Sequence, residues 1–180
     1  MCNIVTKMQL LEIAYMLRPV DVAVIRTYKS IPIIEENLVR GTEIKVPFWL
    51  AKVLEEEGIV EIREPAQKES DVRKVKFLQM QQRNLPIKID EFFYIKISRW
   101  LRDLERHGKN QADVGVLTLA EKVRRDLHDL YRMRLNKLVM AIMLGHTHSI
   151  ERNLSNEERL IVSILGRSIR EWTKHLGVEV

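Results

Sequence analysis

The stretch VPFWLAKVLEEEGIVEI, residues 46–62, decides how the N-terminal part of the chain is read. Pro47 suits the first turn of a helix, where the missing N–H leaves nothing unsatisfied. Trp49, Leu50, Val53 and Leu54 then share one helical face, and Gly58 is placed to stop the helix. Beyond it Val60 and Ile62 alternate with Glu61 and Arg63, the pattern of a half-buried strand. A helix followed by a strand is also how a winged helix approaches DNA. Its polar side speaks against that: one lysine, Lys52, stands beside Glu55, Glu56 and Glu57, whereas a recognition helix needs Arg, Lys, Asn or Gln toward base edges. The three acids also sit at the end of the helix where the dipole disfavours them, so they are read as outward groups open to a partner.

Upstream, VDVAVIRTY (20–28) is rich in β-branched residues, and IPII (31–34) is a short apolar run whose Pro32 suits an edge or bend. NLVRGTEIKV (37–46) holds a glycine turn and the alternating Ile44 and Val46. Residues 1–19 read as an added N-terminal segment. Lys7 and Glu12 interrupt its apolar residues and no small-residue cleavage site follows, so neither a signal peptide nor a membrane span is expected.

Downstream, the polar EPAQKESD (64–71) reads as a linker, and everything after it as helix. Residues 70–84 carry Val72 and Val75. Residues 89–108 carry Ile89, Phe93, Ile97, Trp100, Leu101 and Leu104, with Gly108 as the expected stop. The segments 118–145 and 155–177 open on Thr118-x-x-Glu121 and Ser155-x-x-Glu158, two capping boxes ahead of periodic apolar runs. The expected fold class is therefore α+β. A small β-rich domain with one short helix (1–66, including the extension 1–19) precedes a larger all-α domain of four to five helices (67–180).

Hydrophobic residues make up 46% of the 180, enough to fill a core, and only 7 Gly and 5 Pro favour long regular elements. The net charge of +5 permits nucleic-acid contact without demanding it. The one cysteine, Cys2, excludes a disulfide framework and fits a reducing, intracellular setting.

The sequence holds no GxGxxG, GxxxxGK[ST], HExxH or GxSxG motif. His146 and His148, in GHTHSIERN, lack companions for a four-ligand metal set and read as solvent-exposed. The basic residues of 118–145 are interleaved with acids, Glu121 four before Arg125 and Asp129 three before Arg132, which fits an ion-paired surface better than a phosphate-tracking one. The basic RKVK (73–76) is read in the same way. No catalytic, cofactor or metal residue emerges.

Three segments, in order, carry a resemblance. VPFWLAKVL (46–54), with Pro47, Trp49, Leu50 and Ala51, resembles the proline–aromatic–Trp–Leu–Ala segment in the small domain of GINS subunits. LAEKVRRDLHDLYRMRLNKLVMAI (119–142), with Tyr131, Arg134, Leu135 and Lys137, is similar to the long helix of the GINS helical domain. NLSNEERLIVSIL (153–165) is similar to the start of the helix that follows it. The resemblance is to the small-domain-first subunit type, archaeal-like, and residues 1–19 depart from it. It implies a non-enzymatic, cofactor-free subunit in DNA replication. Two copies each of two subunit types would form a heterotetramer bridging the MCM helicase and a RecJ-like protein. The matched residues would serve packing and subunit contact. DNA contact would be weak, and the setting cytoplasmic and nucleoid-associated, or nuclear in a eukaryote. The aromatic wealth of 89–108 exceeds one buried face, which suggests either a second contact surface or a helix central to its own domain. Tyr94, Trp100 and Trp172 are the candidate interface anchors. The alternative is a winged-helix-like DNA-binding regulator.

Overall fold

The structure, a computed structural model, describes residues 3–29 and 37–178. Cys2 and the IPII run lie outside the described residues. The chain is mostly helical with one small antiparallel sheet, and it divides into two compact units, Met1–Ala66 and Gln67–Val180.

The first unit runs α1 (Ile4–Leu17), β1 (Pro19–Val24), β2 (Glu43–Pro47), α2 (Phe48–Glu56) and β3 (Val60–Ile62). β1 is central, antiparallel to both neighbours, with Val22 opposite Ile44 on one side and Ile62 on the other. Residues 25–28 leave the ladder: Ile25 and Arg26 N–H both donate to the Ile59 carbonyl and Tyr28 forms an isolated bridge with Leu38, so the strand is shorter than its β-branched composition predicts. The core is Val20, Val22, Val24, Leu38, Val46, Leu50, Ala51, Leu54, Ile59 and Val60. α2 supplies Leu50, Ala51 and Leu54 to it. Val53, expected on that face, is exposed, and Ala51 takes its place because a small residue lets the helix lie close to the sheet. Gly58 adopts φ +66°, a left-handed value that suits glycine and lets Ile59 turn back beneath α2.

Two expectations for this unit are corrected. It contains two helices, not one short one: α1 spans 14 residues within what read as an extension. Its apolar residues surround the axis without forming one stripe, so no helical period stands out, yet the Asn3 side chain caps it. α1 packs on α2, with the Tyr15 and Phe48 rings 5.0 Å apart. The Arg18 guanidinium lies 4.6 Å from the Tyr15 ring and 4.7 Å from that of Phe48 while its Nη groups donate to both carboxylate oxygens of Glu64. Second, the glutamates after Lys52 are not all outward. Glu55 accepts from the backbone N–H of Ile62 and pairs with Lys52 at 3.1 Å, so it fastens α2 to β3. Only Glu56 and Glu57 face solvent.

The second unit comprises α3 (Glu69–Gln81), α4 (Phe93–Asn110), α5 (Val114–Met143), α6 (Thr147–Ile150), a 3-10 turn (Glu151–Asn153) and α7 (Asn156–His175). The 30-residue α5 is the spine, packed against α3, α4, α6 and α7. Val72, Phe93, Ile97, Leu101, Val123 and Leu130 fill one end; Leu138, Ala141, Ile150 and Leu154 fill the other.

Three boundaries differ from the sequence reading. α4 begins at Phe93, after a turn that uses Ile89 as a core residue. Gly108 does not stop it: the residue is helical and buried, and a Cβ there would meet Leu117 Cδ2 at 2.9 Å. It is a close-approach point, and the turn is taken by Ala112 at φ 50°. α5 begins four residues before Thr118, capped by Asp113, whose side chain accepts from Val116 N–H at 3.1 Å. Thr118 instead donates to the Val114 carbonyl, one turn back, so its capping box does not form. The Ser155 box forms: Ser155 Oγ accepts from Glu158 N–H, and Glu158 accepts from Ser155 N–H. His146 stands just before α6 and His148 within it, both exposed, and α6 sends Ile150 into the core.

Candidate protein-interaction surface

The second unit is organised around one buried cation. Arg134 faces inward from α5 and is fully buried. Its Nε donates to Glu158 Oε1 at 2.6 Å and Nη2 to Glu158 Oε2 at 2.7 Å, a bidentate pair. Nη1 donates to Gln79 Oε1 at 2.8 Å and to the Ile87 carbonyl at 2.9 Å; Nη2 reaches the Asn153 carbonyl at 3.3 Å. Every N–H of the guanidinium is thereby used. Glu158 also accepts from the Tyr94 hydroxyl at 2.9 Å, and Gln79 Oε1 accepts from Ile87 N–H at 3.1 Å. Burial, and then the Glu158 carboxylate, push the Tyr94 phenol well above its ordinary range. One network thus ties α3, α4, the 85–88 segment, α5 and the start of α7.

Lys137, one turn beyond Arg134, acts as a cap. Its Nζ donates to the carbonyls of Gln79 and Gln82, at the C-terminal end of α3 where the last carbonyls lack helical partners. Burial, then the neighbouring Arg134 charge, hold it below the usual lysine range.

These contacts place the motif residues. Arg134 and Lys137 are internal fasteners, Leu135 is half-buried, and Tyr131 is exposed. In the first unit Leu50 and Ala51 are core, while Pro47 and Trp49 are half-buried around it. Of the aromatic candidates, Tyr94 is committed through its hydroxyl, and Trp100 packs against the core of its own unit. Phe93, Tyr94 and Trp100 of α4 thus pack on the core of their own unit, which α5 and not α4 centres. Trp172 alone of the three is open, at 63% exposed.

The uncovered apolar surface lies elsewhere. α7 crosses α5 at Gly166, where a Cβ would stand 3.8 Å from Ile142. From Arg167 to Val178 no residue is buried, although Ile169, Trp172, Leu176 and Val178 continue the apolar series. At the end of α5, Met140, Met143 and Leu144 are likewise exposed. Sequence reasoning marked the α7 stripe but missed the α5 end; the apolar run 138–144 was its signal.

Several basic residues of α3 and α5 are neutralised by ion pairs, while Arg125 and Arg132 stay exposed without the expected ones. Lys76 pairs with Asp126 and Asp129 at 2.8 and 2.7 Å, Arg73 with Glu69 at 2.7 Å, and Lys122 with Glu69 at 3.2 Å. Arg124 pairs with Glu121 and Glu105. The partners differ from the expected ones: Glu121 takes Arg124 in place of Arg125, and Asp129 takes Lys76 across to α3 in place of Arg132. Among the described residues no group of three or more His, Cys, Asp or Glu is placed to hold a metal ion, and no helix is long and apolar enough to cross a membrane. No protein-family model matches the chain, and no curated protein matches it.

Proposed function

We propose that the chain is a non-enzymatic subunit of a GINS complex, of the small-domain-first type, that scaffolds the replicative MCM helicase at the replication fork. The observation that carries this reading is the C-terminal half of α7, whose apolar series stays uncovered through Trp172 and Leu176. A helix of this kind at the end of a packed unit offers area to another helical subunit. The resemblance adds support, because two of its segments meet physically: Arg134 belongs to one, and its partner Glu158 to the other. The partners would be a helical-domain-first subunit, two copies of each in the heterotetramer, with MCM and a RecJ-like protein engaged by the assembly. The pairing of Arg73, Lys76, Lys122 and Arg124 with carboxylates does not favour the DNA-binding alternative.

Co-expression with the helical-domain-first subunit of the same organism tests this. Light scattering should return the mass of a two-plus-two complex, and Trp172→Glu should split it while leaving the far-ultraviolet circular dichroism unchanged. Two chains that stay separate at micromolar concentration would sink the proposal.

A further inference from the structure

A second surface has a different chemistry. The C-terminal end of α3, residues 82–84 and the C-terminal half of α5 enclose an open groove of about 680 Å³. Its floor is thioether and aliphatic, with Met80 61%, Met140 55% and Leu144 60% exposed. Methionine is unbranched and polarizable, so such a floor adapts to apolar side chains of varied shape. Met133, Asn136, Lys137, Met140 and Leu144 recur along one face of α5, so the floor is a strip as long as a few helical turns.

The rim carries the discriminating information. No carboxylate lines the groove. Gln79 and Lys137 are spent on internal hydrogen bonds. Arg83 has no ion-pair partner among the described residues, and it stands at the exposed mouth. A cation without a counter-charge over an apolar strip is complementary to a segment with a carboxylate beside its apolar face. No aromatic side chain lines the groove, so it lacks the stacking platform that single-stranded nucleic acid uses.

We propose that this groove docks an acidic amphipathic segment of a partner protein, with Arg83 capturing a carboxylate while Met80, Met133, Met140 and Leu144 receive the apolar side chains. Helix-in-groove recognition of this kind reads anchors at successive turns. The proposal does not rest on the GINS reading.

The probe is a synthetic amphipathic helical peptide with leucine along one face and glutamate flanking it. It is titrated into the full chain carrying ¹³C-methyl methionine. The Met80, Met133 and Met140 methyl signals should shift together, and Arg83→Glu should weaken binding roughly tenfold. A lysine-for-glutamate version of the peptide should bind roughly tenfold more weakly or worse. Equal binding by the lysine peptide, or full affinity in the Arg83→Glu variant, overturns the proposal. So does a larger response of the same methyls to a single-stranded oligonucleotide, or a shift of these signals on dilution of the chain alone, which would assign the groove to a second copy. Repeating the titration on the co-expressed assembly separates the two proposals. Loss of the methyl response there would make the groove a subunit interface, ending this inference and leaving the assembly reading standing.

Discussion

Among the described residues of the first unit the buried side chains are hydrophobic ones, and a charged pair, Arg18 with Glu64, sits at the rim over two aromatic rings. In the second, Gln79, Arg134, Ser155, Glu157 and Glu158 are all buried, and the ion pair lies at the centre. An apolar core is held by shape and volume, which several side-chain sets can satisfy. A buried ion pair is different. Removing both charges from water costs several kcal/mol per ion, recovered only where geometry and remaining hydrogen bonds are complete. Here they are complete only when α3, α4, α5 and α7 meet in one alignment, so the network serves to specify register more than to add stability.

The largest effect should come from breaking that centre. Arg134→Met leaves Glu158 buried without its cation and should destabilise the chain by about 3–5 kcal/mol in urea unfolding. The double variant Arg134→Met with Glu158→Gln should recover part of that loss, because the uncompensated charge goes while an acceptor stays for the Tyr94 hydroxyl and Ser155 N–H. A double variant no better than the single would show that Glu158 is not the source of the penalty. It would also erase the contrast between the units.

In the apolar unit the matching cut is Leu54→Ala, which removes a side chain 4% exposed between α2 and the sheet. About 3 kcal/mol should be lost. The sharper comparison is with conservative changes. Leu54→Met keeps the volume and should cost less than about 1.5 kcal/mol, whereas Arg134→Lys keeps the charge but cannot supply five fixed donors, and should remain strongly destabilising. If both conservative changes cost the same, the two cores are not held by different means.

The same contrast explains what could be read from the residues alone. α2 was legible because a glycine stop and an apolar face are local signals, although Pro47 closes β2 just before the helix instead of standing in its first turn, and the Ser155 box was legible because both its members lie within one turn. Arg134 was not: in sequence it is one of several cations on a charged helix, and its partner lies 24 positions away. Gly108 was misread because a glycine after basic residues looks like a helix stop, when the cause is the approach of Leu117 from the next helix. Thr118 looked like a cap although Asp113 already held that role, the start of the helix being masked by Gly115. Of the surface candidates, Trp172 could be found from periodicity. The groove beside Arg83 could not, since it is made by residues 79–84 and 133–144 together.

The smallest prediction concerns two neighbouring carboxylates in one buried turn. Glu158 is fully engaged. Glu157 accepts from Ile95 N–H at 2.9 Å through Oε1, near the start of α4, while its Oε2 is buried without a partner. Burial therefore pushes its carboxyl above the ordinary value, only partly opposed by hydrogen bonds from Ser155 and the backbone. The folded chain then holds the proton more tightly than the unfolded one. The Glu157 contribution to stability is full below the unfolded carboxyl value and is lost as pH rises through the folded one. Glu157→Gln keeps an acceptor for Ile95 N–H and carries no charge. It should match or exceed the parent at neutral pH, by about 1 kcal/mol or less, and flatten the decline above the carboxylate range. Thermal unfolding of both proteins between acid and neutral pH checks this. A variant that loses stability at neutral pH while the parent gains it would mean that Glu157, like Glu158, is held as a satisfied anion.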